Sequence, residues 1–177
     1  MKLRSLAYDS NALQRRVTLY AAIVGVVLAS ICAGLAGVTW ASWQWAIILF
    51  IAFDLVGGVV AMCLPPAIRK IRSPEEPLRP LAFTAFHLHP FVIGFVLPEA
   101  DQSAMLVLYA AAVLGVAALM LPAPQYQGAV ALIWCAATLC VVWLVGDFEG
   151  LEWFAPAYLL KLVGSHSVST MAARSSG

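Results

Sequence analysis

Long runs without a charged residue, interrupted at prolines and at short polar stretches, dominate this chain. A helix needs about 20 apolar residues, at 1.5 Å of rise each, to cross roughly 30 Å of hydrocarbon. Runs of that kind predict six spans. The first is Val17 to Thr39; the second is Trp45 to Leu64, stopped by Pro65-Pro66; the third is Leu81 to Leu97, short and bounded by Pro80 and Pro98. Ala104 to Leu121 is the fourth, ended by Pro122-Ala123-Pro124, and Gly128 to Gly146 the fifth. The sixth, Trp153 to Val168, has Pro156 near its start and Lys161 in its middle; at the lower limit of spanning length, it is a short crossing or a re-entrant or interfacial helix. The expected fold class is an all-α polytopic membrane bundle, with residues 1–168 as one transmembrane domain and 169–177 as a small polar tail. Arg174 to Gly177 read as a cloning remnant and are left out of functional reasoning. A basic leader precedes the first run, as in a secretory signal, but the apolar core of a signal is only about 7–15 residues, so a mature helix is expected there.

Composition agrees with this pattern. Of the 177 residues, 63% are apolar and 11% charged, which does not describe a water-soluble domain. Ten basic and nine acidic residues give a net charge of +1, so there is no basic field to hold a nucleic acid. Cys32, Cys63, Cys135 and Cys140 all lie in apolar runs without a CxxC spacing, and read as buried thiols rather than a disulfide framework or zinc knuckle.

Charge also orients the spans, because short cytoplasmic loops retain Lys and Arg. Lys2, Arg4, Arg15 and Arg16 precede span one; Arg69, Lys70, Arg72 and Arg79 lie between spans two and three; Arg174 follows span six. The alternate loops carry Glu99 and Asp101, then Asp147, Glu149 and Glu152. Trp40, Trp43, Trp45, Trp143 and Trp153 gather on that acidic side, as an interfacial belt would. Both termini are therefore expected in the cytoplasm of a bacterium whose inner membrane holds the protein. The proline-rich stretch from Pro65 to Pro80 reads as a cytoplasmic connector. Small residues four apart (Ala21/Gly25, Ser30/Gly34, Ala33/Gly37, Gly57/Ala61, Ala111/Gly115) permit close helix packing, within one chain or across a homo-oligomer or larger membrane complex.

Ionisable groups inside hydrocarbon cost about 3 kcal/mol each on insertion scales, so each one is a candidate for function. Asp54 sits in the middle of span two, with Gly58 one turn on and on the same face, leaving room before the carboxylate. Span three holds Thr84, His87, His89 and Pro90. On a regular helix residues two apart diverge, so only one histidine would face Asp54, and His87, which shares its face with Thr84, is the choice; a distortion at Pro90 would bring His89 in as well. Span six adds Tyr158 and Lys161 on one side, and His166 at its end. Counting rises places Asp54, His87, His89 and Lys161 in one layer, where Lys161 can neutralise Asp54 or snorkel to an interface.

The leading expectation is a small transporter or channel-like protein passing protons or a small cation through Asp54 and His87, with His89, Lys161, Thr84, Gly58 and Tyr158 around them. One alternative is a membrane-embedded enzyme in which His87, His89, His166 and Asp54 hold a divalent metal, or a histidine pair holds haem. Another is a structural subunit in which the same groups only lock helices together.

Overall fold

The computed structural model describes residues 11–71 and 75–165, which are helical throughout with no strand among them. Helix α1 spans Ala12–Ala36. A capping box starts it: Asn11 Oδ1 accepts the Gln14 N–H at 2.9 Å, and Gln14 Oε1 accepts the Asn11 N–H at 3.0 Å. Gly37, at φ +70°, ends it in the left-handed conformation that glycine adopts without strain. Helices α2 (Ser42–Met62), α3 (Pro65–Ile71), α4 (Arg79–Ala85), α5 (His89–Val96), α6 (Gln102–Leu119), α7 (Pro124–Val145) and α8 (Phe154–Leu159) follow, and α8 runs on into a π-helical turn, Leu160–Gly164. Helices α1, α2, α6 and α7 are each long and apolar enough to cross a membrane. Large apolar side chains such as Leu35, Phe50, Phe95, Leu121 and Leu144 stand exposed on the outer faces, as a lipid solvent demands.

Three expectations change on the structure. The stretch Leu81 to Leu97 is not one helix: α4 and α5 are separated by Phe86–Leu88, and Pro90 lies in the first turn of α5, where its missing N–H has no intrahelical acceptor to lose. The connector from Pro65 to Pro80 contains a helix of its own, α3, which buries Ala67 against Met62 and Phe83. Proline is favoured at a helix start for its fixed φ, so Pro65-Pro66 begin a helix as well as ending one. The sixth run forms only the short α8 and its π turn; residues beyond 165, including the end of that run at Val168, lie outside the described residues.

Helix α1 packs on α2 through a stripe of Ala22, Gly25, Ala29 and Ala33. The approach is as close as missing side chains allow: a Cβ on Gly25 would lie 2.6 Å from the Ala52 carbonyl, and one on Gly57 would lie 2.8 Å from Ala22 Cβ. Gly34 faces open space and takes no part. On α6, Ala111 and Gly115 make a seat for Trp134 of α7, whose indole N–H donates to the Ala111 carbonyl at 2.9 Å. Helix α8 and the π turn lie inside the bundle, against α2, α6 and α7, with Phe154, Tyr158, Leu159, Lys161 and Leu162 all buried. In hydrocarbon, irregular backbone is tolerated only where protein covers it, and the π turn is covered.

The loops divide between two ends. Residues 37–40, 97–100 and 147–151 line one hollow that includes Glu99, Asp147 and Glu149. Beside it Asp101 caps α6, and hydrogen bonds from the Ser103 hydroxyl and then from the Ala104 N–H hold its carboxyl below the usual carboxylate range. At the opposite end, Arg15 of α1 shares a cleft with Leu64, Pro66 and Ala67.

Candidate functional site

Asp54 projects from the middle of α2, and the bundle brings two nitrogen groups to one of its oxygens. Lys161 Nζ lies 2.5 Å from Asp54 Oδ2, and His89 Nε2 lies 3.2 Å from the same atom. Lys161 also reaches the Asp54 carbonyl at 3.4 Å. Only an N–H can approach a carboxylate so closely with profit, so His89 carries a proton on Nε2 in this arrangement. Its Nδ1 is buried and has no hydrogen-bond partner among the described residues. An ammonium and a carboxylate taken out of water are each costly alone and cheap only together, which is why the buried Lys161 meets the mid-span aspartate. The pair is not sealed on both sides: the Lys161 side chain is 5% exposed, the Asp54 side chain 41%.

Gly58 makes the contact possible. The Lys161 side chain crosses α2 over this residue, and a Cβ there would sit 2.5 Å from Lys161 Cε and 2.9 Å from Nζ. Lys161 itself sits on the π turn, a rare widening of the helix that recurs at functional sites, and Ser165 Oγ steadies the turn by donating to the Lys161 carbonyl at 2.7 Å.

The break between α4 and α5 positions His89. A helix end frees carbonyls that hydrocarbon cannot satisfy, and side chains satisfy them here. At the break His87 Nδ1 lies 2.6 Å from Phe83 O, which it can only approach as a donor, and Tyr109 OH donates to Ala85 O at 2.9 Å; Thr84 Oγ1 instead bonds back inside α4, to Pro80 O at 3.0 Å. Across the bundle, Tyr158 OH donates to His87 O at 2.7 Å. His87, Tyr109 and Tyr158 thus hold the break open, and neither they nor Thr84 bind the carboxylate. The expectation that His87 faces Asp54 is corrected by the same feature: once the chain leaves the helix at Phe86, it is His89, re-entering at the start of α5, that turns to Asp54. The two imidazoles remain neighbours, with ring centroids 5.5 Å apart.

Tyr109 is the member that sequence reasoning passed over. Its one signal is a phenol inside the apolar fourth run, since a buried hydroxyl needs an acceptor. Removing the hydroxyl that ties His87 is expected to loosen the break: Tyr158→Phe should lower stability by about 0.6–1.7 kcal/mol, the range for hydrogen bonds between membrane helices, read as unfolding of the purified protein in detergent.

The metal expectation required three or four ligands converging. Among the described residues no group of three or more His, Cys, Asp or Glu does so, and the candidate His166 lies outside them. Opposite Lys161 and His89, Asp54 borders a cleft of about 480 Å³ between α1, α2 and the start of α3, lined chiefly by apolar side chains and reaching Arg15. With this geometry in view, comparison with other proteins adds no relative: no protein-family model matches the chain, and no curated protein and no solved structure matches it.

Proposed function

We propose that this is a multi-pass protein of the bacterial inner membrane that moves protons through a site centred on Asp54. The observation carrying this reading is the mid-span carboxylate held by buried Lys161 and His89 on one side and open to a cleft on the other. Lys161 favours protons over a small metal cation. A metal ion would have to displace an ammonium from the carboxylate and shed its own water, whereas a proton neutralises Asp54 and releases Lys161 in one event. His89, with its proton on the Nε2 that faces Asp54 and an unprotonated Nδ1, is suited to hand the Nε2 proton to Asp54 and take up another at Nδ1.

In this reading α4 and α5 together make one crossing, α8 with the π turn makes a short inner one, and with the four long helices they give six crossings with both ends cytoplasmic. Support comes from the acidic loops sharing one end of the bundle while Arg15 lies at the other. Single cysteines at Arg16 and Glu149, in a chain whose native cysteines are replaced by serine, should react with an impermeant maleimide from opposite sides of the membrane. Reaction from the same side would remove the topology.

The functional test is proton flux in proteoliposomes carrying an internal pH-sensitive dye. Asp54→Asn keeps the size and hydrogen-bonding capacity of the side chain but cannot carry the charge, and flux is expected to fall to the leak of empty liposomes. Full flux in Asp54→Asn would leave the polar cluster as a lock between helices, and the protein as a structural subunit.

A further inference from the structure

The cleft beside Asp54 has a shape and polarity of its own. Its volume of about 480 Å³ falls in the range of small-molecule pockets, roughly 300–1,000 Å³. Leu19 of α1 and Phe50, Phe53 and Met62 of α2 give it apolar walls, and the ionisable groups bordering it are Asp54 at its deep end and Arg15 toward the basic end of the bundle. A carboxylate that is 41% exposed therefore borders a groove with largely apolar walls, whose Leu19 and Phe50 side chains are themselves open to the outside. An acyl chain would lay hydrocarbon against that charge, and an anion would be repelled by it. A hydrated metal ion would have to be stripped of water with only Asp54 and the Thr18 hydroxyl among the lining side chains to offer oxygen in its place.

We infer that the cleft is a binding site for a bulky lipophilic monocation, which takes the place of the Lys161 ammonium on Asp54. The charge is complementary at Asp54, with Arg15 and Thr18 as the other polar side chains of the lining. The solvation cost of a charge falls as the ion grows and the charge spreads, so an organic cation enters such a chamber at far lower cost than a metal ion. Lys161 is the built-in precedent: an alkylammonium whose methylenes cross Gly58 to reach the same oxygen from the other side. Cation and proton then exclude one another at Asp54, so the inference names a second species for the carboxylate to which the proton reading assigns a working role, and it rests on that role.

The test is equilibrium binding of radiolabelled tetraphenylphosphonium to the purified full chain in detergent, with tetraphenylborate, an anion of the same shape, as the charge control. The expected result is saturable binding of the cation and none of the anion. Asp54→Asn should weaken binding by at least about tenfold, the loss of a single charge contact in an apolar site. Leu19→Trp, which fills the cleft from α1 without touching Asp54, should weaken it as well. Because Asp54→Asn leaves Lys161 unmatched, the double variant Asp54→Asn/Lys161→Met is measured beside it, and it too should fail to bind while unfolding cooperatively. No saturable binding by the native chain, undiminished binding by either Asp54 variant, or binding of the anion in preference overturns the inference. Proton flux measured on the same preparation separates the two readings: flux without cation binding removes this inference alone, and saturable, Asp54-dependent cation binding without flux removes the proton reading alone.

Discussion

Lys161→Met is expected to destabilise the fold strongly. Removing one partner of a buried ion pair typically costs about 3–5 kcal/mol, because the other charge stays behind in an apolar setting. Asp54 retains an escape through the cleft and can take up a proton, so the lower end, about 3 kcal/mol, is the expected loss. The double variant Asp54→Asn/Lys161→Met removes both charges and should recover most of that loss, while its proton flux stays at background. Denaturant unfolding in detergent of the native chain, the two single variants and the double gives the coupling energy directly. A coupling near zero would mean that the pair contributes nothing to the fold and that Lys161 is placed by its surroundings alone.

Gly58→Ala is expected to lower flux at least about tenfold and, by parting Lys161 from Asp54, to cost stability as well. Helix propensity alone predicts a gain, since alanine is favoured over glycine in a helix interior by about 1 kcal/mol. The contact geometry predicts the opposite. The new methyl would occupy the path of the Lys161 methylenes, and the lysine, whose far end is flexible, would withdraw from Asp54. Flux should fall at least about tenfold, as for loss of a group that acts only when placed. In a Lys161→Met background the same substitution should be close to silent for stability, because the shorter, uncharged end can step aside. Native flux in Gly58→Ala would show that Lys161 reaches the carboxylate by another path and that the glycine is dispensable.

The parts of this architecture that are legible in the sequence follow from large, context-free costs. A charge-free run long enough to cross hydrocarbon has few other uses, and four such helices stand where the runs predict them. The pairing of Asp54 with Lys161 could be anticipated for the same reason, as the cheapest way for either to remain charged. What escaped prediction depends on local alternatives of nearly equal energy. Pro90 signals a disturbance, but whether the helix kinks at the proline or ends before it depends on which side chains can take up the freed carbonyls. Tyr109 and Tyr158, distant in sequence, are the ones that do. That choice exchanges His87 for His89 as the partner of Asp54. The π turn under Lys161 has no periodicity of its own to betray it, and α3 hides in a stretch whose prolines are equally at home in a loop.

The position of Lys161 in the chain has a consequence for how the molecule is made. Asp54 and Lys161 are 107 residues apart, and a ribosome adding about 5–20 residues per second delivers the lysine roughly 5–20 s after the aspartate. Through that interval α2 stands without its lysine counter-charge, until α8 and the π turn dock. That helix is too short and too polar at Lys161 to enter lipid by itself, and is admitted by a bundle that is already assembled around its place. A chain truncated before Lys161 would therefore present a membrane quality-control protease with an aspartate in α2 that lacks its lysine.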